Sequence, residues 1–502
     1  MGKRNPLASA FTRVWIIEGR ARADREPEFL YYLKMEGMEK NFGGTTPIYE
    51  PSKDRYGDFI ETGSVRDEEE RPSTSLMGRY PRDVKSRVLT LAMRKCAHDV
   101  QLHLGNCAAP GVFNDFEKAL IWEAVTFESY STDPLGTLEP GENSKVDETI
   151  DISGIRAYEY VPVKYADRTP GGIINEVVDA ARCDNPSCGE CAELSDGCQK
   201  FMGITLTEGG SAGTPSQIIY TLDGGSTWYM EDIDTVEVAN SPVGIACVAG
   251  YAVVIVAIAA DEMHIVDADE LDGIQDPDWV QSTAGYVVGG APEAIDSVGN
   301  VGYIVGNSGY VYKITNPPAG VVVVDAGIAT TGRLLDVDLL SDEFAVAVGE
   351  DGTIVTIDND IVGQVLQSPV GWGTDLLAIL VKSEVEWFAG ADDGTFAYTL
   401  DAGISPWVAI TLPGVAPTAI TDIAMSSDSV MWVAATVDTK GEIYVSIDGG
   451  NSWTLTPRGA ANAMPNNDRI NALVVCPFDV DFVAGFGLGF DATDGFIVIG
   501  GD

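Results

Sequence analysis

Positive charge is what this sequence lacks. Residues 171–502 hold only eight Lys and Arg against 48 Asp and Glu, a net of −40. Residues 1–170 hold 23 against 28, a net of −5, and together they make the −45 of the 502-residue chain. Such an acidic surface repels nucleic-acid phosphates and anionic lipids, so neither is expected as a partner. It would suit a high-salt host, where screening shortens the reach of self-repulsion. Long apolar runs are also missing: AVVIVAIAA, residues 252–260, is too short to cross a bilayer. The opening MGKRNPLASAFTRVW has no continuous apolar core of a secretory signal. A soluble chain with no membrane insertion is therefore expected.

Glycine, by contrast, is plentiful, with 55 residues and no collagen-like period, as expected of a mainly β protein with many tight turns. From residue 173 short apolar runs recur: IINEVV, GIACVAG, EAIDSVG, LLDVDLL, LLAILVK, ITDIAMS and INALVVC. Each leads into a second strand, a Gly-rich turn and a third strand of the type GTIVTID or GEIYVSID. The third strands end near Asp223, Asp267, Thr315, Asp358, Asp401, Asp448 and Asp502, at separations of 44, 48, 43, 43, 47 and 54 residues. A period of roughly 40–50 residues with four short strands is that of a β-propeller blade. One small sheet cannot bury both faces alone, so blades stack in a ring. Seven blades are expected over 173–502, or six if one unit has been divided wrongly. The last repeat stops at its third strand, and IRAYEYVPVKYA, within the 151–172 linker, is expected to supply the fourth.

Two turns carry a sharp motif. Thr221, Asp223, Gly225, Thr227 and Trp228 follow the pattern S/T-x-D-x-G-x-S/T-W, as do Ser446, Asp448, Gly450, Ser452 and Trp453. A degenerate copy holds Asp401, Gly403 and Trp407. Short Asp and hydroxyl side chains cap turns, Gly takes positive φ, and Trp supplies a large buried area. The motif resembles the Asp-box of sialidase-type (BNR-repeat) propellers, where these residues tie the hairpin and Trp packs between blades. Their expected role here is structural. Sialidases hold a substrate carboxylate with three arginines, and only Arg333, Arg458 and Arg469 follow Arg182, none in the family's expected place. No carboxylate pair stands out for glycoside hydrolysis, so no catalytic residue is named and an enzyme is not expected.

Cys183, Cys188, Cys191 and Cys198 cluster inside the first blade. The C-x-x-C knuckle fits a structural zinc, and two disulfides stapling the loop fit equally. Cys96, His98, His103 and Cys107 have the donor types for a metal, but packing explains them better, with His103 facing outward from its strand. Cys247 and Cys476 read as small core residues. Asp267, Asp269, Glu270, Asp272 and Gly273 resemble a calcium loop with one carboxylate a position late.

Residues 1–150 do not share the repeat. They read as an α+β domain: several strands, one amphipathic helix over 83–96 with Val84, Val88, Leu91 and Cys96 on one face, and an extended arm at 43–81, a loop or hairpin. The arm GGTTPIYEPSKDRYGDF and the closing stretch WEAVTFESYSTDPLGTLEPGENSKVDETIDISG resemble tail-tube (major tail) proteins of tailed bacteriophages and archaeal viruses. That resemblance implies a virion structural subunit, assembled in the host cytoplasm. It would polymerise into stacked rings, typically hexameric, and display the acidic propeller outside for decoration or for binding a host glycan or protein. The alternative is a cytoplasmic Asp-box propeller, similar to photosystem-assembly or sortilin-like proteins, that binds a protein partner.

Overall fold

In the computed structural model the chain divides into two units, Met1–Pro162 and Val163–Asp502. The structure describes the strands between residues 12 and 160 and, beyond 160, the strands and most turns. Segments outside the description include 1–11, 31–45, 82–97, 105–117, 134–144, 184–199, 206–215 and 457–468.

The described residues of the first unit are mainly strand, and the helix expected at 83–96 lies outside them. In chain order they are β1 (Thr12–Glu18), β2 (Glu28–Leu30), β3 (Thr46–Lys53), β4 (Phe59–Val65) and β5 (Ser73–Pro81). β6 (His98–Leu104), β7 (Lys118–Asp133), β8 (Lys145–Ser153) and β9 (Arg156–Tyr160) follow. Seven of them make one antiparallel sheet in the order β2-β1-β6-β7-β8-β5, with β9 also on β7. The 16-residue β7 changes partners midway, pairing β8 from Thr126 onward and β9 over its first half. At the switch Ala124 takes a φ of 48°, and its N–H donates to Asp99 Oδ1 at 2.7 Å. Val100, Leu102, Ile121, Ile150 and Ile152 are buried in this sheet. Of the two forms expected for 43–81, extended loop or hairpin, its first strands take the hairpin. β3 and β4 form a hairpin, and β5 pairs with β8 along nine residues as a full member of the sheet.

Among the described residues the second unit holds seven four-stranded antiparallel sheets, or blades, with strands in sequence order in six of them. The inner strands of blades 1–7 are Val177–Arg182, Pro242–Val248, Pro292–Val298, Leu334–Leu339, Leu376–Val381, Ala419–Met425 and Arg469–Val475. Each touches the inner strand of the next blade, and that of blade 7 touches that of blade 1. This closed ring is a β-propeller. The physical cause is visible in the core clusters, each of which joins adjacent blades. Ile204, Tyr220, Ile245 and Val254 pack between blades 1 and 2, and Tyr303, Val305, Ala345 and Ile357 between blades 3 and 4. Alternating strands with both faces apolar can bury them only against two neighbours.

The last blade takes its fourth strand from the other end of the unit. β10 (Tyr165–Asp167) pairs antiparallel with Gly495–Gly500, in the register Tyr165↔Gly500 and Asp167↔Val498. The stretch expected to close the ring therefore divides: its start is β9 in the first unit's sheet, and only its end reaches the propeller. The seam is reinforced by Thr169 Oγ1, which accepts from Ile497 N at 3.0 Å. Glu176 adds bonds to Arg469 at 2.5 Å and Asn471 at 2.7 Å.

Candidate functional site

Each inner strand carries a register shift at the same place, between Val177 and Asp179 in blade 1 and between Leu334 and Asp336 in blade 4, for example. The residue just past the shift is Asp179, Gly244, Ala294, Asp336, Ala378, Asp422 or Ala472 around the ring. Only small residues or Asp occupy it. A strand alternates faces, so the residue two further on shares that face; Asp296 and Asp338 stand there in blades 3 and 4. All five aspartates line one cavity of about 470 Å³ bordered by the inner strands of all seven blades. Arg182 is the single basic residue in that lining.

The carboxylates span the seams between blades. Asp179 Oδ2 accepts from Ile245 N of blade 2 at 2.8 Å, and Asp336 Oδ2 from Ile379 N of blade 5 at 2.8 Å. Asp422 Oδ2 accepts from Leu473 N of blade 7 at 2.6 Å. The second position repeats the device: Asp296 accepts from Leu339 N at 2.9 Å and Asp338 from Val381 N at 2.5 Å. Asp179, Asp336 and Asp422 each take a second bond through Oδ1 from the following residue's N–H. Bonds to the charged form favour ionisation, but burial outweighs them here. It pushes the carboxyls of Asp179 and Asp422 up to about 7. Burial and then repulsion from Asp422 raise Asp336 well above the usual range, and burial and then Asp296 do the same to Asp338. Burial raises Asp296 too, although a hydrogen bond from the Asp338 carboxyl works the other way.

The turn motifs lie apart from this channel and bond themselves. Thr221 Oγ1 donates to Asp223 Oδ1 at 2.9 Å and accepts from Gly225 N at 2.8 Å, while Thr227 N donates to Asp223 at 2.7 Å. Ser446, Asp448, Gly450 and Ser452 repeat the pattern, with Ser452 Oγ adding a bond to Asp448 Oδ2 at 2.6 Å. In the degenerate copy Thr399 supplies the hydroxyl to Asp401 and Gly403, and Ser405 N donates to Asp401. Gly225 and Gly450 take φ of 87° and 93°, which a side chain would strain. Each Trp packs toward the preceding blade: Trp228 edge-on to Phe486 of blade 7 and Trp453 edge-on to Phe396 of blade 5. Trp407 joins the cluster of Val346 and Val348 of blade 4.

The cysteine expectation needs correction. Cys183 is disulfide-bonded to Cys247 of blade 2, Cα to Cα 5.2 Å, so Cys183, Cys188, Cys191 and Cys198 do not form one local site. Cys188, Cys191 and Cys198 lie outside the described residues. Cys247 and Cys476, expected as plain core residues, are both disulfide-bonded. The reason is ring geometry: Cys183 ends one inner strand beside Cys247 on the next, 64 residues away. His98 and His103 are buried on β6, and His103, expected to face outward, lies 2.9 Å from Gln101 Oε1. Cys96 and Cys107 lie outside the described residues.

In the calcium-like loop Asp267 Oδ1 accepts from Asp269 N at 3.0 Å and caps a short turn. Lys200 reaches in to donate to the Ala268 carbonyl; burial lowers its ammonium's pKa, with the charges of Asp269, Asp267 and Asp272 working the other way. Among the described residues no group of three or more His, Cys, Asp or Glu could hold a metal ion, and no helix is long and apolar enough to cross a membrane. Arg333 is paired with Glu350 at 2.7 Å and Glu293 at 3.6 Å, and Arg469 with Glu176; Arg458 lies outside the described residues. The signal that sequence reasoning missed is the aspartate recurring within VVDAA, LLDVD, AIDSV and ITDIA.

Solved structures similar to this chain include YCF48 bound to a D1 peptide, with 15% identity over 68% of this chain and 97% of that one and a TM-score of 0.47. YCF48 from Cyanidioschyzon merolae gives 15% identity over 67% and 98%, TM-score 0.49. The WD40 β-propeller domain of Doa1 gives 12% over 68% and 97%, TM-score 0.46. At such scores the propeller rests on its own strand order and ring of contacts. No family model and no curated protein matches the chain.

Proposed function

We propose that residues 163–502 form a seven-bladed Asp-box propeller acting as a non-enzymatic binding module. Its partner is a protein that presents a lysine- or arginine-rich segment to the acidic channel. The channel carries this reading: five carboxylates and one arginine line it, in a region with eight basic residues against 48 acidic ones. A cationic segment is drawn to such a field and held by a polar wall with little room for anions. The channel and turn-motif aspartates are engaged in seams and turns and Arg333 and Arg469 in ion pairs, which favours scaffolding over hydrolysis. Calorimetric titration of the full chain with a lysine-rich peptide, against an acidic peptide of equal length, tests it. Binding of the basic peptide that weakens with salt, and weakens more in Asp422→Asn than in the surface variant Glu384→Gln, is expected. No binding at low salt, or equal loss in both variants, would refute it.

A second reading, a virion tail-tube subunit that assembles through residues 1–162, draws on the hairpin β3–β4. It stands as its own two-stranded sheet among the described residues, with the polar sequence of a segment that orders on a neighbouring subunit. Removing residues 46–65 spares β5 and the main sheet, so it tests assembly without unfolding the unit. Large particles in light scattering that disappear with the hairpin are expected. A monomeric full chain at high protein and salt concentration would count against this reading.

A further inference from the structure

The channel aspartates have a geometry that a mere acidic surface would not. They reach across four of the seven blade seams, 1/2, 3/4, 4/5 and 6/7, and they face one another across one cavity. The groups facing them are few. Blade 1 contributes Asp179 and Arg182, blade 3 Asp296, blade 4 Asp336 and Asp338, and blade 6 Asp422. Blades 2, 5 and 7 line the cavity with residues 245–247, 379–381 and 473–475, none of them charged. One arginine cannot neutralise five carboxylates. The Asp338 carboxyl acts on Asp296 as a hydrogen-bonding neighbour, and two carboxyl groups can share a hydrogen bond only if one keeps a proton.

We propose that the five channel aspartates are a proton-linked latch on the ring, in which Asp338 holds a proton that it shares with Asp296 while the blades are closed. Protonated, the set bridges the seams without mutual repulsion. Fully ionised, it strains the same seams from inside. The sign follows from burial, which raises these carboxyls above the ordinary value near 4 in the unfolded chain, to about 7 for Asp179 and Asp422. Between those limits the folded ring binds more protons than the unfolded chain, so stability falls as pH rises through that window. Below it the set contributes nothing, and Asp336 and Asp338, which burial raises well above the ordinary range, extend the fall beyond the window of Asp179 and Asp422. The latch is a property of the ring with its channel free of a partner and does not rest on the partner proposed above.

The test uses the full chain in about 1 M salt, where the Debye length of about 3 Å silences surface repulsion but not the channel. Infrared spectroscopy at neutral pH should show the carbonyl band of a protonated carboxyl, and Asp338→Asn should diminish it. The propeller melting temperature should fall by several degrees between about pH 5.5 and about pH 8. Asp338→Asn, whose amide can donate to Asp296 without a shared proton, should flatten that fall and raise the melting temperature at the higher pH only. Glu384→Gln, removing one surface charge, should leave the slope unchanged. A melting temperature that is flat or rises with pH, or the absence of a protonated carboxyl band in the native chain at neutral pH, overturns the proposal. Both readings use the unmodified protein, so they decide even if the variant fails to fold.

Discussion

Asp448→Ala and Asp223→Ala remove the same motif residue from two different surroundings, and the difference between them is computable. Asp448 is 2% exposed and accepts from Ser446 Oγ at 2.8 Å, Ser452 N at 2.8 Å and Ser452 Oγ at 2.6 Å. Truncation strands one amide and two hydroxyls in a buried turn, each at about 1–3 kcal/mol. Against that, it removes a carboxyl that burial has pushed above its usual range despite bonds from Ser452 and Ser446. Weighing the two, the loss should be about 3 kcal/mol. Asp223 is exposed and accepts from the buried Thr221 Oγ1 and from the N–H of exposed Thr227; water can satisfy the latter once Asp223 is gone, so only one buried donor is stranded. Its loss should be near 1 kcal/mol. The pH behaviour should also be opposite. Burial tends to raise Asp223, but the bonds from Thr227 and Thr221 win and hold it below its ordinary value. Its contribution is present above about pH 4 and lost as pH falls through the depressed pKa. Urea denaturation of the propeller, followed by tryptophan fluorescence, reads both variants. Equal losses, or a larger loss for Asp223→Ala, would refute the reasoning from burial.

The disulfide closing 64 residues between Cys183 and Cys247 should contribute about 4 kcal/mol by loop-closure entropy. Cys247→Ser should therefore lower the propeller midpoint, and a reductant should have no further effect on that bond's share. Ring closure by β10 predicts that a chain starting at residue 163 is more stable than one starting at 168, which loses the pairs Tyr165↔Gly500 to Asp167↔Val498. Chemical denaturation of the two fragments checks it, and identical midpoints would show that the fourth strand is dispensable.

The repeat was legible because its signals are local. Strand alternation, a Gly-rich turn and a hydroxyl bonding an Asp two residues on all lie within one blade, so LLDVDLL or Ser446 to Trp453 can be read without neighbours. The arm was only half legible: β3 and β4 pair over a short loop, whereas β5 finds β8 some seventy residues later. Nothing in IRAYEYVPVKYA says that its first half belongs to β7 and its last residues to the far end of the chain, because strand propensity names no partner. The same limit hid the disulfide, since Cys183 sits near three closer cysteines and its bonded partner only becomes a neighbour when blades 1 and 2 stack. It hid the channel most completely. An aspartate every other residue in an apolar strand reads as a solvent-facing stripe, and that holds for an isolated sheet. Only closing seven sheets into a ring turns those stripes toward one another, removes most of their water and makes the charge of each depend on the rest.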